Sequence, residues 1–406
     1  MNKTVNIFSI PVLVAALGYF VDIYDLVLFS IIRKPSLEAI GIIGEASEKN
    51  GLMLLNIQMI GMLIGGLFWG ILGDKKGRLS VLFGSIILYS LTNILNAFVS
   101  DLWQYSALRF LAGVGLAGEL GAGITLVCEL LDKKQRGWGT TIVATIGVSG
   151  AIFAGLIGHY YSWKICYIIG GVLGFLLLFL RMGVFESGMY QDAKKSSHAL
   201  GDIKLLFLNK SRLIRYVHCI LIGLPIWYAI GILITLSPEL GKALHLKGEI
   251  KAGTAVMYCY AGVTLGDLAS GVLSQLFKSR KKILLIFVLA TLLCVIAYFQ
   301  LQNAEAQSMY WLMCVLGFAA GYWAVLITSS SEQFGTNMRA TVTTSVPNFI
   351  RGSLVPISFL YLFIQNIGVE KLHSALLTGV ICCVIALWST TQLKETFGHD
   401  LNFIES

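Results

Sequence analysis

Residues 52–72 and 79–100 are two apolar runs without a single charged side chain, parted only by the short charged turn within Gly70-Ile-Leu-Gly-Asp-Lys-Lys-Gly-Arg78. Each run is long enough to cross the hydrocarbon of a bilayer as a helix, which takes about 20 residues. A backbone in lipid must satisfy its own hydrogen bonds, so a chain made of such runs is confined to a bundle of helices. Twelve spans follow along the chain, at about 11–32, 51–72, 79–100, 102–126, 138–158, 164–182, 215–236, 252–275, 283–301, 309–331, 341–365 and 372–392. The composition agrees: 13% of residues are charged, against about a quarter in a soluble domain. The expected fold class is an all-α membrane protein with twelve transmembrane helices in two six-helix pseudo-repeat bundles.

The net charge of +8 points to topology rather than to nucleic acid, because the basic residues gather in short turns between spans. With the N-terminus inside, twenty of the 30 Lys and Arg fall on the cytoplasmic side and eight outside. Short basic loops stay in the cytoplasm, which places both termini there, in a bacterial-type inner membrane. The first apolar segment is followed by eleven others and reads as a span, not a cleaved signal. The eight cysteines show no metal-ligand or disulfide spacing and fall in apolar runs, so no metal site is expected.

The two halves repeat. Glu129-x6-Arg136 after the fourth span recurs as Glu332-x6-Arg339 after the tenth, at an offset of 203 residues. The expected domains are 1–185 and 214–393, six spans each, joined by a cytoplasmic linker at 186–213 and followed by a tail at 394–406. Parallel halves of this kind point to a transporter with its site between them. In the second half Gln275 stands where the first has Asp74, so only the first half is expected to keep a charged turn.

The turn Gly70-x-Leu-Gly-Asp74-Lys-Lys-Gly77-Arg78 resembles the loop 2–3 motif of the major facilitator superfamily. Arg109-Phe-x-x-Gly113-x-Gly115, Glu129-x6-Arg136-Gly137 and Glu186-Ser187 add to the resemblance, which covers essentially the whole chain. Arg109 to Glu119 and Phe334-Gly-Thr-x-x-Arg339-Ala-Thr are similar to the branch of metabolite–proton symporters and sugar-porter-like permeases. The resemblance implies a central cavity lined by helices one, four, seven and ten, an acid on helix one that carries the proton, and a turn that braces the start of helix eleven. Gly70, Asp74, Gly77, Arg78, Glu129, Arg136, Glu332 and Arg339 are the expected cytoplasmic gate.

A charge at mid-bilayer costs roughly 2.5–3.5 kcal/mol on insertion scales, so each one needs a partner or a purpose. Asp22 and Asp25 share one face of helix one. At 1.5 Å per residue, Asp25 and Arg109 lie at matching depth, about 20 Å from the cytoplasmic end. An acid beside an arginine stays ionised, and takes a proton when the arginine is drawn away. Asp22, Asp25 and Arg109 are therefore candidates for proton coupling, with a static ion pair as the alternative. Glu119 is either a second proton site or a helix–helix hydrogen-bonding group.

Arg351, beside Asn348, can hold a carboxylate bidentately or pair with Asp267. Tyr19, Tyr24, Trp227, Tyr228, Tyr322 and Trp323 are candidate substrate walls, or interfacial aromatics. His159 and His218, near helix ends, are expected to be solvated. No phosphate-binding glycine loop and no nucleophile–base set is visible, so the chain is expected to be no enzyme and to need no cofactor, with the proton gradient as its energy source.

These features support a monomeric proton-coupled importer of a small anionic or zwitterionic metabolite. A proton-driven exporter of a drug-like compound or siderophore, and a transporter-like sensor, are the alternatives. Helix five lacks the proline of the antiporter pattern, which weighs against export. Asp74→Asn is expected to lower turnover several-fold while folding and affinity stay largely intact. Kinetics of the reconstituted protein check this, and lost affinity at normal turnover would count against a latch.

Overall fold

The computed structural model describes residues 9–76, 78–119, 136–181 and 209–398. The first half holds α1 (Ile10–Ala39), α2 (Glu45–Lys76), α3 (Arg78–Asn96), α4 (Leu102–Leu116), α5 (Arg136–Tyr160) and α6 (Trp163–Arg181). The second half begins with α7 (Lys210–Leu221), α8 (Leu224–Tyr228), a π-helical turn over Ala229–Ile234, and α9 (Ser237–Ala243). It continues with α10 (Ala252–Leu276), α11 (Arg280–Gln300), α12 (Ala306–Ala320), α13 (Trp323–Glu332), α14 (Thr336–Gly352), α15 (Leu354–Asn366) and α16 (Lys371–Gln392). Among the described residues there is no β-strand, only an isolated bridge from Lys247 to Glu305.

Ten of the twelve spans are long and apolar enough to cross a membrane as they stand. The third has a shorter apolar part, Ser80–Asn96, and the fourth runs on into residues outside the described set. Three spans of the second half are broken. Pro225 and Pro238 stand in the first turns of α8 and α9, where a missing N–H costs nothing. Pro225 follows the break at Gly223 within the seventh span, and Pro238 opens the short helix after that span. Gly321 parts α12 from α13, and Ser353 parts α14 from α15.

Chain contacts divide the molecule into two units. The first comprises Met1–Phe29, Lys34–Ala154 and Tyr161–Asp202; the second comprises Ser30–Arg33, Gly155–Tyr160 and Ile203–Ser406. Each is knit by the same device. In unit 1 a Cβ at Gly61, Gly65 or Gly113 would overlap the facing backbone carbonyl of Phe110, Val114 or Gln58, so α2 and α4 touch backbone to backbone. In unit 2, Gly262, Gly266 and Gly317 do the same for α10 and α12 against Cys314, Phe318 and Cys259. Close backbone approach through small residues replaces the hydrophobic drive that lipid removes. The repeat visible in the sequence thus returns as a repeated helix contact.

Of the expected gate, Gly77 and Glu129 lie outside the described residues, as do the side chains of Asp74, Arg78, Arg136 and Arg339. Gly70 lies within α2, and Glu332 is described below.

Gly262→Val forces α10 away from α12. Overpacking of this kind costs about 1–3 kcal/mol, so the detergent-solubilised protein should melt measurably lower. An unchanged melting temperature would deny the close approach.

Candidate functional site

Unit 1 buries several charges. Asp22, Asp25 and Arg109 are 0%, 2% and 0% exposed. Arg109 donates through Nη2 to Gln58 Oε1 on α2, and its guanidinium lies 4.6 Å from the centre of the Phe29 ring. Asp25 is within electrostatic reach of Asp22 and Arg109, and the Asn93 amide on α3 faces it. Beside them Tyr105 and Tyr167 share a hydroxyl–hydroxyl bond of 2.7 Å, and Tyr105 also donates to Ser36. The expected grouping of Asp22, Asp25 and Arg109 is brought together, with Gln58, Asn93, Tyr105 and Tyr167 around it. Those four are uncharged and gave no signal in an apolar run.

Glu119 pairs bidentately with Arg181, the last residue of α6. The Nη1–Oε2 bond is 3.0 Å, and both side chains are buried. Glu119 stands just past a turn at Ala117 and Gly118 that ends α4.

Several of the expected wall aromatics are spent on backbone. Tyr24 donates to the carbonyl of Cys166 (2.9 Å), Tyr228 to Ala375 (2.6 Å) and Tyr322 to Ile222 (3.0 Å). Tyr19 is buried with its ring over Gly147. His218, expected to be solvated, is buried with its ring 4.9 Å from that of Trp388, whereas His159 is exposed.

In unit 2 the helix breaks meet. Tyr322, at the break of the tenth span, satisfies the Ile222 carbonyl freed at the break of the seventh. A Cβ at Gly223 would overlap Ile350, and one at Gly231 would overlap Leu354, on either side of the break of the eleventh span. Arg351 and Asn348 are buried on the last turn of α14, just before that break. The Trp227 indole, 5% exposed, finds no acceptor for its N–H among the described residues. Asp267 is not brought to Arg351: its carboxylate accepts the Ala324 N–H at 3.1 Å, faces the Trp323 N–H, and caps α13. Discontinuous helices with buried polar groups at their breaks are where transporters place substrate.

The sequence profile of the Major Facilitator Superfamily matches residues 3–359. The chain belongs to that superfamily. A putative niacin/nicotinamide transporter of Bacillus subtilis is 25% identical to it, over 94% of this chain and 96% of the relative. A gentisate transporter of Corynebacterium glutamicum is 23% identical, over 93% of this chain and 86% of its own length. An inward-open structure of the xylose transporter XylE from E. coli shares the fold, with a TM-score of 0.73, 17% identity and 98% of both chains covered. This superfamily member is a multi-pass membrane transporter of a small molecule, not an enzyme.

The tail of this facilitator is tied to unit 2. The Glu395 carboxylate sits on the N-terminus of α11, accepting the Ser279 hydroxyl and the N–H groups of Arg280 (2.9 Å) and Lys281 (3.2 Å). It also accepts the N–H groups of Thr396 and Phe397. Arg280 reaches Glu332 at 3.5 Å, and Thr396 donates to the same carboxylate at 2.7 Å. A charged network is therefore present in the second half too, built on Glu395, Arg280 and Glu332 rather than on position 275.

Burial alone would raise the Glu395 carboxyl, but these donors outweigh it and hold it at about 2. With its pKa depressed on folding, its stabilising effect is complete above about pH 4.3, the ordinary glutamate value, and is lost as pH falls towards 2. Glu395→Gln should speed amide exchange at Ser279–Lys281 by about tenfold, one charge-assisted bond's worth. Unchanged exchange at neutral pH would deny the clamp.

Proposed function

We propose that the chain imports a small aromatic or heteroaromatic carboxylate together with protons, by alternating access. It does so as a monomer, in a bacterial-type cytoplasmic membrane with both termini inside. The observation that carries the reading is the enclosed set of Asp22, Asp25 and Arg109 in unit 1. Two carboxylates on one helix face, near a guanidinium held by a neutral glutamine and a ring, cannot both stay charged at low cost away from water. A proton is the simplest way to relieve them. The proton gradient is then the energy source, with no cofactor.

The substrate class rests on unit 2 and on the relatives. Niacin and gentisate are both aromatic rings bearing a carboxylate. Arg351 offers a buried guanidinium beside a helix break, where it suits a carboxylate, and Trp227 offers an apolar face with an N–H edge.

In proteoliposomes, nicotinate and gentisate uptake should rise with an imposed proton gradient. Asp25→Asn should lose gradient-driven accumulation but keep exchange of labelled for unlabelled substrate. Arg351→Ala should raise KM by roughly tenfold to a hundredfold, the weight of about 1.5–3 kcal/mol for a hydrogen bond to a charged group. Uptake that ignores the gradient, or coupled accumulation retained by both Asp22→Asn and Asp25→Asn, would overturn the proposal.

A further inference from the structure

The Glu119–Arg181 pair is the second charged cluster of unit 1, and it lies on the same track as the first. A Cβ at Gly18 would overlap both Glu119 Oε1 and Arg181 Nη2, so the pair rests on α1 at that point. Gly18, Asp22 and Asp25 follow one another at spacings of four and three on a single helix face. Asp22 is therefore about 6 Å along the axis from the pair. Helix α6 faces this line with Gly170 against Asp25, Gly174 against Tyr89 and Ser90, and Arg181 at its end. Helix α3 fills the space with Tyr89, Ser90, Asn93 and Asn96, all buried.

Among these, the Tyr89 hydroxyl, the Ser90 hydroxyl and the Asn96 amide meet no hydrogen-bonding partner among the described residues. Buried polar groups are nearly always satisfied in a packed interior. Tyr89 packs against Gly115 of α4 and Gly174 of α6, within electrostatic reach of Glu119, Arg181, Asp22 and Asp25. Glu119 is met by Arg181 from α6 and by α1 at Gly18, with Tyr89 of α3 in electrostatic reach and Asp22 and Asp25 further along the same face of α1. From α2, Trp69 packs at Gly118, its indole bonded to the Val114 carbonyl at 2.6 Å.

Bracing the bundle does not require these charges. Unit 2 has a phenol at Tyr228 where the repeat offset places Asp25, and one at Tyr322 where it places Glu119. Both phenols brace helices through neutral bonds to carbonyls. Between His373 and Gln392 the twelfth span carries no charged residue to match Arg181. The six helices of unit 2 thus pack without an ion pair at the place of Glu119 and Arg181, its own pairs, Arg33–Glu239 and Arg280–Glu332, lying elsewhere, and a buried pair is costly to desolvate and weak as a stabiliser.

We propose that Glu119 is a second proton-carrying carboxyl, linked to Asp22 and Asp25 through the Tyr89 hydroxyl and reset by Arg181. This rests on the proton-coupled reading and deepens it. The proton leaves an aspartic carboxyl for the Tyr89 oxygen, which passes its own proton to a Glu119 oxygen. The Glu119 bond to Arg181 opens at that oxygen, and closes again when the proton leaves toward the end of unit 1 that carries the α2–α3 turn.

Infrared difference spectra of the reconstituted full-length protein, taken between neutral and acid pH, test this without knowledge of the substrate. Wild type should show the carbonyl stretch of a protonated glutamic acid growing as pH falls, and Glu119→Gln should lose a band of one carboxyl per chain. Tyr89→Phe, which keeps the ring packing, should move the pH at which that band appears. Arg181→Gln, which removes the partner of Glu119, should move it too. A Glu119→Gln spectrum identical to wild type overturns the proposal, as does a Tyr89→Phe titration that superimposes on wild type. Loss of the Glu119 band while Asp22→Asn and Asp25→Asn change nothing would sustain Glu119 and sink the aspartates instead.

Discussion

Charge removed from water is the constraint around which this molecule is arranged. A carboxylate or guanidinium in a low-dielectric interior is costly unless something of opposite charge or a strong hydrogen bond meets it. Unit 1 meets the cost in two ways. Glu119 and Arg181 pair directly, while Arg109 is held by Gln58 and Phe29 within reach of the aspartates. The first arrangement is closed and the second is poised. On the proposed reading, the charge on Asp25 depends on where the guanidinium rests.

Unit 2 solves the same architectural problem without acids at the corresponding places. Its breaks, at Gly223, Gly321 and Ser353, free backbone groups that phenols and a carboxylate satisfy: Tyr322 for Ile222, and Asp267 for the start of α13. The halves share glycine-mediated helix contacts but divide the chemistry. One gathers ionisable groups, and the other gathers helix ends, an arginine and an indole.

Much of this was legible in the sequence, for physical reasons. Asp22, Asp25, Arg109 and Arg351 stand out because a charge in an apolar run has no innocent explanation. The twelve spans stand out because hydrocarbon leaves the backbone no other choice. Arg181 was silent because it lies at the end of its span, where an arginine ordinarily reaches water. Gln58, Tyr89 and Asn93 were silent because neutral polar residues are common in such helices. The phenols of Tyr24, Tyr228 and Tyr322 look like cavity walls in sequence, and only the fold reveals their carbonyl partners. Asp267 reads as an unexplained charge until the break at Gly321 supplies a helix end to cap.

The clamp at Glu395 has a consequence for how the protein is made. The Arg280 amide waits 115 residues along the chain for its acceptor. Until the chain has been made as far as Glu395, the start of α11 lacks the carboxylate that accepts its N–H groups. That helix end can therefore close only after α12 to α16 have followed it out of the ribosome. Contacts so distant in sequence form late and slowly, which makes the tail a marker of finished assembly.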